Sequence, residues 1–205
     1  DLSNGELWLL EGDSAGGNAK SCRNPEVQAI LPLRGKVLNT HNRELADIIK
    51  NREVRDIMTA LGTGVADRFN INNLRYSKII ILADADSDGA HINVLILTLF
   101  IKHLPKLITE GKVYMALPPL YRVKKGMSSQ FFYSDEELEK SSLKGEVTRF
   151  KGIGEMNAEE LWETTMNPET RKLIRLTTDN FEETINVFNT LMGKSSALRR
   201  GFIEE

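Results

Sequence analysis

The sequence predicts an α/β protein, a mostly parallel sheet with helices on both faces, followed by a small α+β tail. Three observations predict it. Glu6–Leu10, Lys78–Ala83 and Val113–Leu117 are short apolar runs that stop at glycine, aspartate or proline. Runs without polar alternation are strands covered on both faces. Helical patterns lie between them, and strands alternating with helices favour a parallel sheet. After Tyr121 that alternation gives way to shorter, more polar segments.

Taken in order, Glu6–Leu10 runs into Glu11-Gly-Asp-Ser-Ala-Gly-Gly17, which reads as a strand, a glycine turn and a helix start. Val54, Ile57, Met58 and Leu61 recur at helical spacing, and Gly62 stops the helix. Lys78–Ala83 is the clearest strand; it ends in Asp84-Ala-Asp-Ser-Asp-Gly89, and a long apolar helix follows. Val113–Leu117 is the next strand, closed by Pro118 and Pro119. Tyr121–Lys124 and Gln130–Tyr133 flank Gly126-Met-Ser-Ser129 as the arms of a hairpin. Ser134 with Glu137, and Asn157 with Glu160, have capping-box spacing, so a short helix should begin at each. Pro168 after Asn167 predicts another helix start. Phe181, Ile185, Phe188 and Met192 form one face of a last helix that Gly193 ends. These changes of pattern divide the chain into residues 1–122 and 123–205.

Composition narrows the function classes. With 205 residues, 40% of them hydrophobic, the chain can build an ordinary core. Its longest apolar stretch, Ile92–Ile101, is broken by Asn93 and Thr98 and is far shorter than the roughly 20 residues of a membrane span. The opening Asp1-Leu-Ser-Asn-Gly5 has neither an initiator Met nor an export-signal pattern, as in a piece cut from a cytoplasmic protein. Cys22 is the single cysteine, and His41, His91 and His103 are scattered, so neither a disulfide nor a zinc site is indicated. A net charge of −2 argues against holding nucleic acid by bulk positive charge. Locally, Arg34 and Lys36 flank a glycine, while Arg122, Lys124 and Lys125 read as solvated hairpin charges.

The chemistry concentrates at strand ends. Asp84, Asp86 and Asp88 follow a buried strand, where open α/β sheets bind ligands. Three carboxylates in one place repel unless a cation compensates, and an all-oxygen set suits Mg²⁺. Glu11 joins them if the Glu6–Leu10 and Lys78–Ala83 runs are neighbouring strands. A solvent turn is the bland alternative, but it does not require three aspartates after so apolar a strand. An EF-hand loop opens in the same way but needs Glu at its twelfth position, where Leu95 stands. Gly12-Asp-Ser-Ala-Gly16 also matches the nucleophile elbow of serine hydrolases, with Ser14 as nucleophile, although no partner histidine is evident. Gly62-Thr-Gly64 and Lys151-Gly-Ile-Gly154 are not Walker loops, and residues 151–157 read by themselves as a flexible loop.

Glu11–Gly17, Pro32-Leu-Arg-Gly-Lys-Val-Leu-Asn39, Asp84–Ile92, Pro118-Pro-Leu-Tyr121 and Lys151–Asn157, extended by Trp162–Met166 and Arg199-Arg-Gly-Phe-Ile203, resemble in this order the signature blocks of type IIA DNA topoisomerase B subunits. The resemblance covers nearly the whole chain from Glu6. Asp86-Ser-Asp-Gly89, Ala116-Leu-Pro-Pro119 and Arg34 are more like topoisomerase IV, with DNA gyrase next. Asn18, Ile153 and Ser195-Ser-Ala-Leu198 depart from the usual family pattern.

The resemblance implies a toprim (Rossmann-like) fold and a division of labour. Glu11, Asp84, Asp86 and Asp88 would be the catalytic Mg²⁺ set, with Mn²⁺ or Ca²⁺ able to substitute in binding. The A subunit of an A₂B₂ assembly would bring the tyrosine that attacks double-stranded DNA. Arg34 and Lys36 would contact the DNA backbone, Asp13 and Arg34 would border a quinolone-type inhibitor pocket, and residues 151–157 would lie near the cut or the subunit junction. ATP would bind only in a domain preceding this region, so the chain should neither hydrolyse ATP nor pass a duplex by itself. The other readings are the gyrase equivalent, a DNA-binding module without cleavage of its own, and the hydrolase using Ser14.

Overall fold

The structure, a computed structural model, describes residues 4–192. Gly193 as a helix stop, Ser195–Leu198 and Arg199–Ile203 lie outside the described residues, as do the first three.

The first half winds β1 (Glu6–Glu11), α1 (Asp13–Cys22), β2 (Gln28–Leu33), α2 (Leu45–Ile48), α3 (Arg52–Leu61), β3 (Lys78–Leu82), α4 (Ser87–His103), α5 (Lys106–Thr109) and β4 (Val113–Leu117). Three more strands follow, β5 (Tyr121–Lys125), β6 (Ser128–Phe132) and β7 (Glu146–Arg149), with α6 (Asp135–Lys140) between the last two. The described chain closes with α7 (Ala158–Leu161), a π-helical turn at Trp162–Met166, β8 (Lys172–Arg175) and α8 (Phe181–Met192).

The main sheet has the order β2-β1-β3-β4-β8, parallel throughout except for β8. Its apolar strands are apolar on both faces because each face has its own core. Leu7, Leu9, Ile79 and Ile81 pack with α3 and α4 on one side. Trp8, Leu10, Ile80 and Leu82 pack with Ala15 and Ala19 of α1 and with Ile153, Met156 and Leu161 on the other. Period-two side-chain alternation distributes a continuous apolar run between two layers in this way. This is the doubly covered α/β fold that the sequence predicts.

Several elements follow their local signals. Asn51 caps α3 through the Val54 amide, and Gly62 ends it in the left-handed conformation with φ 76°. In α4, Thr98 donates its hydroxyl to the Val94 carbonyl, so this polar residue sits inside the apolar run without an orphaned group. Asn157 and Glu160 form a full capping box. Ser134 caps α6, but Glu137 accepts the Tyr133 amide in place of that of Ser134. The hairpin is tighter than expected. Lys125 pairs with Ser128, leaving a two-residue Gly126-Met127 turn whose glycine has φ 62°.

Three expectations need correction. No helix starts at Pro168: the Thr170 and Arg171 amides close a single turn on the Asn167 carbonyl, and the chain then extends into β8. Pairing with β4 and the docking of Arg171 on Glu6 outweigh the local helix signal. Arg122 is not a solvated charge. It lies 5.9 Å from the Phe150 ring centroid and pairs with Glu160, joining the antiparallel β6-β5-β7 sheet to α7. Residues 151–157 are no loose loop either, because Ile153 and Met156 are buried in the second core.

Candidate metal centre at the strand ends

From β1 the chain runs to β2 on one side, while β3 lies on the other. Neighbouring connections therefore diverge at the carboxyl ends of β1 and β3, the type of crevice where open α/β sheets bind ligands. Glu11 is the last residue of β1, and Asp84 follows β3 by two residues. The two strands pair in parallel, and the Asp84 amide donates to Glu11 Oε2 at 3.1 Å. Asp86 caps α4 by accepting the Gly89 amide at 2.8 Å, and Asp88 lies in the first turn. Gly89 is required for this approach: a Cβ there would stand 2.1 Å from the Asp84 carbonyl oxygen.

Each carboxylate has one oxygen in use. Glu11 Oε2 takes the Asp84 amide, Asp84 Oδ1 the Ile153 amide at 2.7 Å, Asp86 Oδ1 the Gly89 amide, and Asp88 Oδ1 the Lys36 ammonium at 2.9 Å. The second oxygen of each makes no hydrogen bond among the described residues. Outer-shell bonds of this kind orient ligands while leaving donor atoms open. The residues present therefore fit a hard cation in donor type, although among the described residues they do not close into a ready-made ligand cage.

Electrostatics point the same way. Burial raises the affinity of Glu11 for its proton, and the charges of Asp84, Asp86 and Asp88 raise it further against the Asp84 amide bond. Asp84 is likewise pushed up by burial, with Asp86 and Glu155 adding to it. Asp88 is held below the usual carboxylate range by its hydrogen bond and charge pairing with Lys36. Without a cation, the inner pair resists ionising together.

The basic residues come from the turn after β2. Gly35 has φ 82°, a conformation suited to glycine, and separates Arg34 from Lys36. Arg34 Nε lies 3.2 Å from Asp13 Oδ1, and its amide donates to Glu53. The structure thus brings together Glu11, Asp13, Arg34, Lys36, Asp84, Asp86 and Asp88. It does not provide Ser14 with a base: no imidazole bonds it among the described residues. His103 is hydrogen-bonded to the Thr40 carbonyl at the far end of α4, about 25 Å along the helix from its start.

Sequence reasoning missed how the other wall of the site is joined to the carboxylates. The Lys151–Met156 turn delivers the Ile153 amide to Asp84, and Asn18 of α1 donates to the Met156 carbonyl at 2.8 Å. Its own glycines give the same signal as a flexible loop, and the family resemblance placed residues 151–157 only near the cut or the subunit junction.

Comparison with known proteins agrees with the α/β fold. The Toprim domain family matches residues 6–117, and the family described as DNA gyrase B subunit, carboxyl terminus, matches residues 142–204. The DNA gyrase B subunit of Thermotoga maritima is 53% identical over 97% of this chain, which covers 32% of that protein. The DNA topoisomerase 4 B subunit of Bacillus subtilis is 50% identical over 98% of the chain, covering 32% of that protein. Its counterpart in Staphylococcus epidermidis is also 50% identical over 98% of the chain, covering 31% of that protein. The chain therefore spans about a third of the length of the curated relatives it matches. Gyrase and topoisomerase IV proteins stand at nearly equal identity. The chain belongs to the Toprim family, as the Toprim and carboxyl-terminal region of a type IIA DNA topoisomerase B subunit.

Proposed function

We propose that the chain is the Mg²⁺-dependent cleavage and religation part of an ATP-dependent type IIA topoisomerase of the topoisomerase IV kind, which relaxes and decatenates double-stranded DNA with a tyrosine-bearing A subunit. The observation that carries this reading is the convergence of Glu11, Asp84, Asp86 and Asp88 at one crevice, each with one oxygen engaged and one open. Those four residues would hold the cation. When bound, Mg²⁺ would supply positive charge to the scissile phosphate and the leaving 3′ oxygen.

The chain's own residues do the rest. Glu11 also exchanges a proton with the leaving oxygen, as general acid in cleavage and general base in religation. Arg34 and Lys36 steady the DNA backbone. Asp13 and Arg34, already paired, border the inhibitor pocket. Residues 1–122 form the metal-binding unit and 123–205 the attached tail, ATP binds in a preceding domain, and the assembly works in the cytoplasm on the nucleoid.

Support for the topoisomerase IV form comes from Asp86-Ser-Asp-Gly89, Ala116–Pro119 and Arg34. The gyrase equivalent is the second reading, since gyrase B subunits stand at nearly the same identity to the chain as topoisomerase IV B subunits. Negative supercoiling by the full assembly separates them, since only gyrase introduces it. The metal site is tested by mixing the chain with a cognate A subunit and comparing Mg²⁺-dependent duplex cleavage by wild type and Asp86→Ala. Tyrosine-linked 5′ ends that disappear in the variant are expected; equal cleavage by both removes Asp86 from the ligand set.

A further inference from the structure

We infer that Asn18 is a positioning residue for the acidic centre, acting through the Lys151–Met156 turn as a latch that fixes the Asp84 carboxylate. This rests on the metal reading above. The turn is held at three places. Asp84 Oδ1 accepts the Ile153 amide at 2.7 Å. Asn18 Nδ2 donates to the Met156 carbonyl at 2.8 Å from the middle of α1. Between these points the Glu155 and Met156 amides bond back to the Gly152 and Ile153 carbonyls, and Glu155 Oε2 accepts the Lys151 amide.

Packing leaves the turn little freedom. The Ile153 and Met156 side chains are buried against Trp8, Leu10, Ala15 and Ala19. A Cβ on Gly154 would stand 3.0 Å from Ser14 Oγ, and one on Gly152 would stand 2.6 Å from Asp84 Oδ2. The backbone of the turn therefore lies directly against both Asp84 oxygens. Oδ1 is tied by an amide, and Oδ2 has room only because residue 152 lacks a side chain. Displacement of the turn must rotate the carboxylate, and the Asn18 bond opposes that displacement. Because α1 begins just after Glu11, the latch also ties Asp84 to the element that sets the position of Glu11.

The test uses Asn18→Leu, which keeps the side-chain size and removes the donor, and Gly152→Ala, which crowds Oδ2. Amide exchange at Ile153 and Mn²⁺ affinity from water-proton relaxation are read on the whole chain, with the unfolding midpoint as a check on folding. Changes of outer-shell partners typically weaken metal binding about 10–100-fold. Asn18, one step further out, should weaken Mn²⁺ binding about 3–10-fold and speed Ile153 exchange, while Gly152→Ala should weaken binding at least as much. Faster Ile153 exchange with unchanged Mn²⁺ affinity in Asn18→Leu overturns the proposal. Ile153 exchange that is unchanged in both Asn18→Leu and Asp84→Ala overturns it without reference to metal. A wild-type chain that takes up no Mn²⁺ refutes the metal reading, and with it the positioning role, whatever the exchange shows.

Discussion

Arg171→Met should expose how strongly the carboxyl-terminal segment is bound to the main sheet. Arg171 grips both oxygens of Glu6, with Nη2 to Oε1 at 2.5 Å and Nη1 to Oε2 at 2.7 Å, and the two side chains are only 7% and 5% exposed. Trp8 and Gln28 donate to the same carboxylate, and Arg171 lies 5.8 Å from the Trp8 ring centroid. Removing one partner of a buried pair costs about 3–5 kcal/mol. The two remaining donors place this case near the lower end, which lowers the unfolding midpoint of a domain this size by roughly 6–12 °C.

A double variant, Glu6→Gln with Arg171→Met, should recover most of that loss because no charge is left buried. The pH dependence carries a sign. Burial raises the Glu6 pKa, but the Arg171, Gln28 and Trp8 hydrogen bonds and the Arg171 charge outweigh it, so the folded value lies below the ordinary 4.5. Its stabilisation is present above the unfolded pKa and is lost as pH falls through the folded one. In Arg171→Met the burial is opposed only by Gln28 and Trp8, so the deficit against wild type should shrink in acid. Thermal unfolding at neutral pH and near pH 4 measures both effects. A midpoint drop under about 2 °C, or a double variant no better than the single, would refute the argument.

Gly16→Ala places a methyl 2.8 Å from Pro32 Cβ, a contact between helix and strand that has little room to yield. Overpacking costs of about 1–3 kcal/mol oppose a helix-propensity gain of about 1 kcal/mol, so urea unfolding should show a net loss, and a more stable variant would contradict the close packing. In Lys36→Met, Asp88 loses the hydrogen bond and charge that hold its pKa down, so its titration followed by carboxyl-carbon NMR should move upward. An unmoved Asp88 would mean that the pair does not persist in solution.

The sequence disclosed those parts of the fold whose causes are local. β3 and the aspartate run were legible because a strand buried on both faces must be apolar throughout, and the site begins where that pattern breaks. β2 and β8 were not. Both lie at sheet edges: β2 is apolar from Ala29 to Leu33 but carries Pro32, which argues against a strand, and β8 is four residues long with a charge at each end. An edge position tolerates the missing Pro32 amide. The turn beside Asp84 was placed near the cut by the family resemblance, but its ordered contacts were hidden for another reason. Its order comes from partners 69 and 138 residues away, and nothing within its own sequence distinguishes an amide destined for Asp84 from one facing water. Arg122 was misread for the same reason, since Glu160 lies 38 residues further along the chain.

The acidic centre itself should be a place where the fold is weaker than it could be. Burial and the charges of Asp84, Asp86 and Asp88 raise the Glu11 pKa above its ordinary 4.5, so the fold favours the neutral form. That contribution is present below the unfolded pKa and lost as pH rises through the folded one, which leaves an ionised Glu11 destabilising the metal-free chain at neutral pH. Glu11→Gln removes the charge, and the amide oxygen can still accept the Asp84 N–H. The variant should therefore unfold at a higher temperature than wild type in chelator at neutral pH, with the difference fading in acid. Mg²⁺ should reverse the order, because binding stabilises only a chain able to take it up. A glutamine variant less stable than wild type in chelator would show that the four carboxylates are not mutually repulsive. The case for a cation there would then rest on donor chemistry alone.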